Sequence, residues 1–267
     1  MKDVQSQPDR RNIYLQRVGI KGLLYPITVM DRQKGFQDTV ATINMYVDLP
    51  VQFRGTHMSR FVEVLNKYHL GIDPRVLGEL LEELRKKLKA KTAVVEIEFP
   101  YFMTKKAPVT NAEGFVSYTC RIFGQKTEEG CDFTFSVGVP VMTLCPCSKE
   151  ISDRGAHNQR AVAWVHVKSK RLIWFEELIQ IAEESASAPV FTVLKRPDEK
   201  FLTEHAYDNP RFVEDLAREI ALRLKSDKRI EWYKVEVESF ESIHTHNAYA
   251  CVISEKEDFS NDDTSLG

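Results

Sequence analysis

The feature that most limits how this chain folds is an order of periodicities that occurs twice. A strand-like alternation at Thr39–Asp48 is followed by two helical segments, Ser59–Tyr68 and Asp73–Ala90, and then by strand-like runs at Ala93–Phe102 and Phe115–Gly124. Strand-like runs at Phe133–Met142 and Ala161–Lys168 open a second block. Helical segments at Trp174–Ser187 and Pro210–Lys225 follow, then strand-like runs at Tyr233–Phe240 and Ala248–Ser254. The stretch VVEIEF alternates cleanly, whereas RVLGELLEELRKKL repeats leucine at three-and-four spacing, the mark of a helix with one face on a sheet. The order predicts two copies of one α+β module, each an antiparallel sheet with two helices on one face. The expected boundaries are an N-terminal segment over 1–32, modules over 33–126 and 127–257, and a loose polar, acidic tail over 258–267 within SEKEDFSNDDTSLG. The segment up to Arg32 shows no clean period. Asn209 and Pro210 read as an N-cap followed by proline at the first helical position. Two stretches, Cys145–Gln159 and Ser187–Asn209, read as long loops of the kind that carries function.

Composition excludes several classes of function. A chain of 267 residues, 43% hydrophobic and 28% charged, is an ordinary folded protein, and its formal charge of -2 provides no polybasic field for nucleic acid. No window approaches the apolar length of a membrane span, and MKDVQSQPDRRNIYLQRVG lacks the apolar core of a secretory signal, so a cytoplasmic protein is expected. Five cysteines, odd in number and widely spread, argue against a disulfide framework. Cys120, Cys131 and Cys251 sit in alternating runs, where they are expected to be small buried hydrophobes.

The residues with chemistry left over cluster in the irregular parts. Cys145, Cys147 and His157 lie in the first long stretch, Glu199 and His205 in the second, and His244 and His246 follow WYKVEVESF. Thiol, imidazole and carboxylate are the side chains that bind transition metals. The spacing is not that of a zinc finger, and a buried Cys145 with strand-end histidines is the competing reading.

The words CPCSKEIS and GAHNQR, the early DVQSQPDRRNIYLQRVGIKGLLYPI, GTHMSRF and the late ESIHTHNAYA together resemble GTP cyclohydrolase of type IB, a family of the tunnelling-fold superfamily. The likeness runs from about Asp3 to Ala250. It implies two tunnelling-fold modules in one chain, assembling into barrels between subunits as a homotetramer with active sites near the interfaces. It implies a divalent metal (zinc, manganese or iron) on Cys145, His157, Glu199 and His244, with Glu199 the ligand expected to yield to substrate. It implies hydrolysis of GTP to 7,8-dihydroneopterin 3'-triphosphate and formate, the first step of pterin and tetrahydrofolate synthesis. Water adds at C8, the imidazole ring opens, and the ribose carbons close onto the base.

By the same resemblance His246 shuttles protons and Cys145 and Cys147 act at the reacting centre, Cys147 also being readable as a packed loop thiol. Glu214 would hold the N1–H and amino group of guanine with its two oxygens, although acids are favoured in a helix's first turn in any case. His57, Arg60, Ser148, Lys149, Lys195 and Arg196 are the remaining candidates for the substrate and its triphosphate. Two alternatives stay open: another tunnelling-fold purine or pterin enzyme, and a structural zinc locking an oligomer that binds a nucleotide as a signal. A cyclic phosphate product is also compatible with these residues.

Overall fold

The computed structural model describes residue 5 and residues 10–254, so the tail expected to be loose lies outside the described residues. The fold is α+β, an antiparallel sheet carrying helices, as the periodicities predict. The chain forms two compact units, one taking up Met1–Pro100 and Arg121–Phe135, the other Tyr101–Cys120 and the residues from Ser136 onward. Three long strands, β3 (Ala93–Lys106), β4 (Glu113–Lys126) and β5 (Cys131–Leu144), contribute to both.

In the first unit β1 (Leu15–Asp31) and β2 (Gly35–Leu49) form an antiparallel hairpin. Asp31 accepts the backbone N–H of Gln33 and Lys34, each at 2.8 Å, and Gly35 takes φ +82°, so the turn DRQKG closes by Asx geometry plus a left-handed glycine. β1 is the element whose period could not be read. Its pairing with β2 shifts register between Leu15 and Val18 and again between Ile20 and Leu23, and such bulges erase a clean alternation. Helices α1 (Ser59–Tyr68) and α2 (Pro74–Leu88) follow close to their expected bounds. Asp73 caps α2, accepting from Val76 N at 2.8 Å, and Lys89 ends it in the left-handed conformation. The leucine stripe Leu77, Leu80, Leu81 and Leu84 is fully buried together with Phe61, Val64 and Leu65 of α1. Each such side chain contributes about 1.5–3 kcal/mol of burial.

In the second unit β5 neighbours β6 (Asn158–Ser169), which pairs antiparallel with β8 (Ile230–Ser239) and that in turn with β9 (Ala248–Ile253). Helices α4 (Phe175–Ser185) and α6 (Val213–Ser226) bury Leu178, Ile179, Leu216, Ile220 and Leu224. The two stretches expected to be loops are largely ordered elements. The first holds α3 (Pro146–Ile151), and the second holds β7 (Ala188–Pro189), which pairs with β5, and α5 (Arg196–Asp208). α5 escaped notice because only Leu202 and Ala206 of its apolar side chains are buried, in a small cluster with Leu144 and Ala188, too few for a readable stripe.

The expected helix start at Pro210 is also corrected. Asn209 caps the end of α5, its N–H and Nδ2 both reaching His205 O, and α6 begins at Val213 with Asp215 accepting from Phe212 N at 3.1 Å. Of the three cysteines expected in the core only Cys120 is buried, where burial raises its thiol well above the ordinary value. Cys131 begins β5 and Cys251 lies on the open side of β9, and both are exposed. No described helix is long and apolar enough to cross a membrane.

Candidate active site

Where the strands of the second unit end, a cleft of about 280 Å³ is lined by Cys145, His157, Glu214, His244 and His246. The first two are brought together by local backbone chemistry. Cys145 is the extended residue that opens α3, and its Sγ accepts from Ser148 N at 3.4 Å. Its own N–H donates to His157 O at 3.1 Å. Ser148 Oγ donates to Cys145 O and accepts from His157 N, both at 3.1 Å, which ties the two ends of the CPCSKEISDRGAH segment together. Gly155, at φ +89°, supplies the left-handed turn that lets the segment double back. A cysteine and a histidine twelve residues apart thus line one wall.

His244 and His246 come from the exposed connection between β8 and β9, their rings stacked with centroids 5.2 Å apart. Glu214 stands in the first turn of α6, exposed and in the cleft lining. Glu214 thus suits the positive end of the helix and also lines the cleft.

The other expected site residues are not in this lining. Cys147 is exposed on α3. Ser148 spends its hydroxyl on the loop closure just described. Lys149 donates to Tyr207 O and lies 4.2 Å from the centre of the Tyr207 ring, which stations its charge against α5. Glu199 is exposed in the first turn of α5, with Lys195 and Arg196 exposed beside it. The neighbouring carboxylate is the buried one. Asp198 accepts from the backbone of Val109, Thr110 and Lys195 and from the Thr110 hydroxyl, at 2.6–3.0 Å. Burial pushes its carboxyl up, and those donors outweigh burial and hold it well below the usual range. Asp198 anchors the start of α5 and so fixes where Glu199 stands. His57 and Arg60 belong to the first unit, where Arg60 N donates to His57 O at the start of α1.

The cleft also contains side chains that motif reading passed over. Arg211 lines it with a buried Nε that has no hydrogen-bond partner among the described residues. Gln159, Thr143, Ser239 and Glu241 line it as well. Gln159 was discoverable, since it lies two residues after His157, and residues two apart on a strand share a face. Tyr249 donates to Glu236 Oε1 at 2.7 Å, and that carboxylate drives its hydroxyl well above the ordinary phenol value, so it is a fixed donor.

One thiol and three imidazoles line the cleft, and of these Cys145, His157 and His244 are donors of the kind that zinc or iron accepts. Among the described residues no three His, Cys, Asp or Glu side chains are gathered closely enough to hold an ion. The donors fit a metal by type and share one cleft, but their side chains stand outside coordinating reach of one common point, and Glu199 stands apart on α5.

Comparison with known proteins adds an independent line. Residues 1–250 match the family model of type I GTP cyclohydrolase FolE2. The chain is 75% identical over 258 residues to a GTP cyclohydrolase FolE2 of Pseudothermotoga lettingae, covering 97% of this chain and 100% of that one. It is 61% identical to that of Fervidobacterium nodosum, covering 96% and 98%. Among solved structures it is similar to urate oxidase from Bacillus sp. TB-90 (TM-score 0.53, 10% identity, 91% of this chain and 99% of that one). It is also similar to urate oxidase from Bacillus subtilis 168 (TM-score 0.52, 9% identity, 91% and 100%). At such identity the likeness to the oxidases is one of fold, the tunnelling fold.

Proposed function

We propose, for a chain that belongs to the type I GTP cyclohydrolase FolE2 family, that the cleft of the second unit is where GTP is opened and rebuilt as 7,8-dihydroneopterin 3'-triphosphate. The observation that carries this reading is the convergence of Cys145, His157, Glu214, His244 and His246, from three separate chain segments, on one cleft. The overall change is balanced by one water: GTP and water give the pterin triphosphate and formate. One water adds at C8 of guanine and opens the imidazole ring to a formamide, and a second hydrolyses the formamide so that C8 leaves as formate. Closure of the rearranged ribose carbons onto the freed amine releases one water, for a net of one.

The residues divide this work by their chemistry. Glu214 accepts the N1–H and amino protons of guanine with its two carboxylate oxygens, which selects guanine over adenine. His246, exposed at the cleft, passes protons between water, N7 and the departing formyl group. Cys145, His157 and His244, with Glu199 contributed from α5, would hold a divalent zinc, manganese or iron. Such an ion supplies Lewis acidity, which makes water a nucleophile near neutral pH. Arg211 presents a guanidinium for the substrate's phosphates, a role for which Lys195 and Arg196 are further candidates. Cys147, exposed on α3 and outside the cleft lining, is a further candidate at the reacting centre. Assembly as a homotetramer in the cytoplasm, with partner subunits completing the triphosphate site, fits the scarcity of free cations in the cleft.

The test is add-back of zinc, manganese or ferrous iron to metal-stripped protein with GTP, following formate and the fluorescence of the oxidised pterin. Both products should return with metal and be missing from Cys145→Ala. Absence of formate with every metal, from protein shown to be folded, overturns the proposal.

A further inference from the structure

Four polar residues of the cleft wall link its two histidine-bearing segments. His157 Nδ1 lies 2.9 Å from Gln159 Oε1, and Gln159 Nε2 lies 3.2 Å from Thr143 Oγ1. Thr143 Oγ1 is 3.4 Å from Ser239 Oγ, and Ser239 Oγ is 2.8 Å from Glu241 Oε1. The path runs from β6 through the end of β5 to the end of β8, and so to the connection that carries His244 and His246. Its middle is inaccessible to water, with Thr143 1% and Ser239 0% exposed, so its hydroxyls must satisfy each other.

The direction of every bond follows from the last member. An ionised carboxylate only accepts, so the Ser239 hydroxyl donates to Glu241. Ser239 oxygen is then left to accept from Thr143, and Thr143 oxygen to accept from the Gln159 amide nitrogen. That turns the Gln159 carbonyl towards His157, which must donate from Nδ1. With the amide turned the other way, Thr143 would donate to Gln159 and its oxygen would face that of Ser239 with no proton between them. Two buried hydroxyls would then confront each other unbonded, at a cost of about 1–3 kcal/mol.

We infer that Gln159, Thr143, Ser239 and Glu241 are positioning residues that hold His157 as its Nδ1–H tautomer, with the Nε2 lone pair left for the cleft. An imidazole without this chain takes either tautomer, and one with a proton on Nε2 offers the cleft no lone pair there. The chain also couples the placement of His157 to the segment bearing His244 and His246, since both hang from the same buried hydroxyls. Its consequence for a metal rests on the cyclohydrolase reading above, whereas the tautomer does not.

The test reads the tautomer directly, without GTP. Full-length protein labelled with 15N-histidine, stripped of metal and held at pH 8.5, is examined by magic-angle-spinning NMR, with the His157 resonances assigned by their loss in His157→Gln. The wild-type chain should show a proton on Nδ1 alone. Gln159→Leu, which removes the acceptor, and Ser239→Ala, which removes the link that sets the polarity, should each give mixed or Nε2–H signals. Gln159→Glu, which keeps an acceptor, should restore Nδ1–H. Zinc affinity by chelator competition should fall about 10–100-fold in Gln159→Leu and stay close to wild type in Gln159→Glu, the range typical for residues that orient a ligand. Melting curves on the same samples restrict the comparison to folded chains. A wild-type His157 protonated on Nε2, or a Gln159→Leu variant that keeps the Nδ1–H form, overturns the inference whether or not the protein acts on GTP.

Discussion

In the first unit the helix–sheet interface is closed by apolar side chains: Leu77, Leu80, Leu81 and Leu84 of α2 meet Phe61, Val64 and Leu65 of α1, all at 0% exposure. In the second unit α4 and α6 pack as tightly, yet the strand ends beside them are occupied by Thr143, Gln159, Ser239 and Glu241, and a cleft remains. Both units use an antiparallel sheet and a helix pair. They differ in their connections, because the second inserts α3, β7 and α5 where the first runs directly from strand to helix to helix to strand. A shared scaffold tolerates this, since added chain at strand ends does not disturb the apolar faces that stabilise it. The first unit therefore closes on apolar side chains, whereas the second leaves polar side chains around a cleft.

That contrast can be broken most sharply at His246. It is exposed and its ring packs against the equally exposed His244 ring, so His246→Ala should lower kcat for formate release by about 10²–10⁴-fold, the range for a lost proton shuttle, while moving the calorimetric melting temperature little. A large fall in melting temperature would mean that the cleft is structural. The reverse is expected at Leu81, buried in the first unit: Leu81→Ala should cost about 2–5 kcal/mol of stability in denaturant titration while the folded fraction keeps its specific activity.

The smallest effect concerns Asp198, which serves both purposes by anchoring α5. Its carboxyl is held below the ordinary value in the folded chain, so its stabilisation is present above that value and lost as pH falls through it. The melting temperature should decline below about pH 4, near the ordinary aspartate value. Asp198→Asn should melt lower at neutral pH and follow a flatter acid limb. Parallel profiles for the two proteins would remove Asp198 from the account.

Much of this was legible in the residue order, for reasons that differ by element. α1, α2, α4 and the strands β3–β6 are long, strongly periodic segments that bury one face, so pattern alone locates them to within a few residues. α5 and β1 were not legible, the one because its buried face is only two apolar residues wide, the other because bulges break its alternation. Cys131 and Cys251 show the limit of a residue's average habit, since a place at the start of β5 for the one and on the open side of β9 for the other, not residue type, exposes them.

The candidate site divides in the same way. Residue identity and spacing singled out Cys145, His157, His244 and His246, because thiols and imidazoles in irregular chain are conspicuous without coordinates. Glu214 came only from the resemblance to the family, an acid in a helix's first turn being ordinary by itself. Only the folded chain decides that these five share a cleft and that Lys149 is stationed against Tyr207. It alone puts Glu199 on α5 behind a buried neighbour, and reveals that common polar residues such as Gln159, Thr143 and Ser239 form one path. The physical reason is that composition and period report what a segment can bury, whereas the direction of a hydrogen bond depends on which distant segments the sheet brings within about 3 Å of one another.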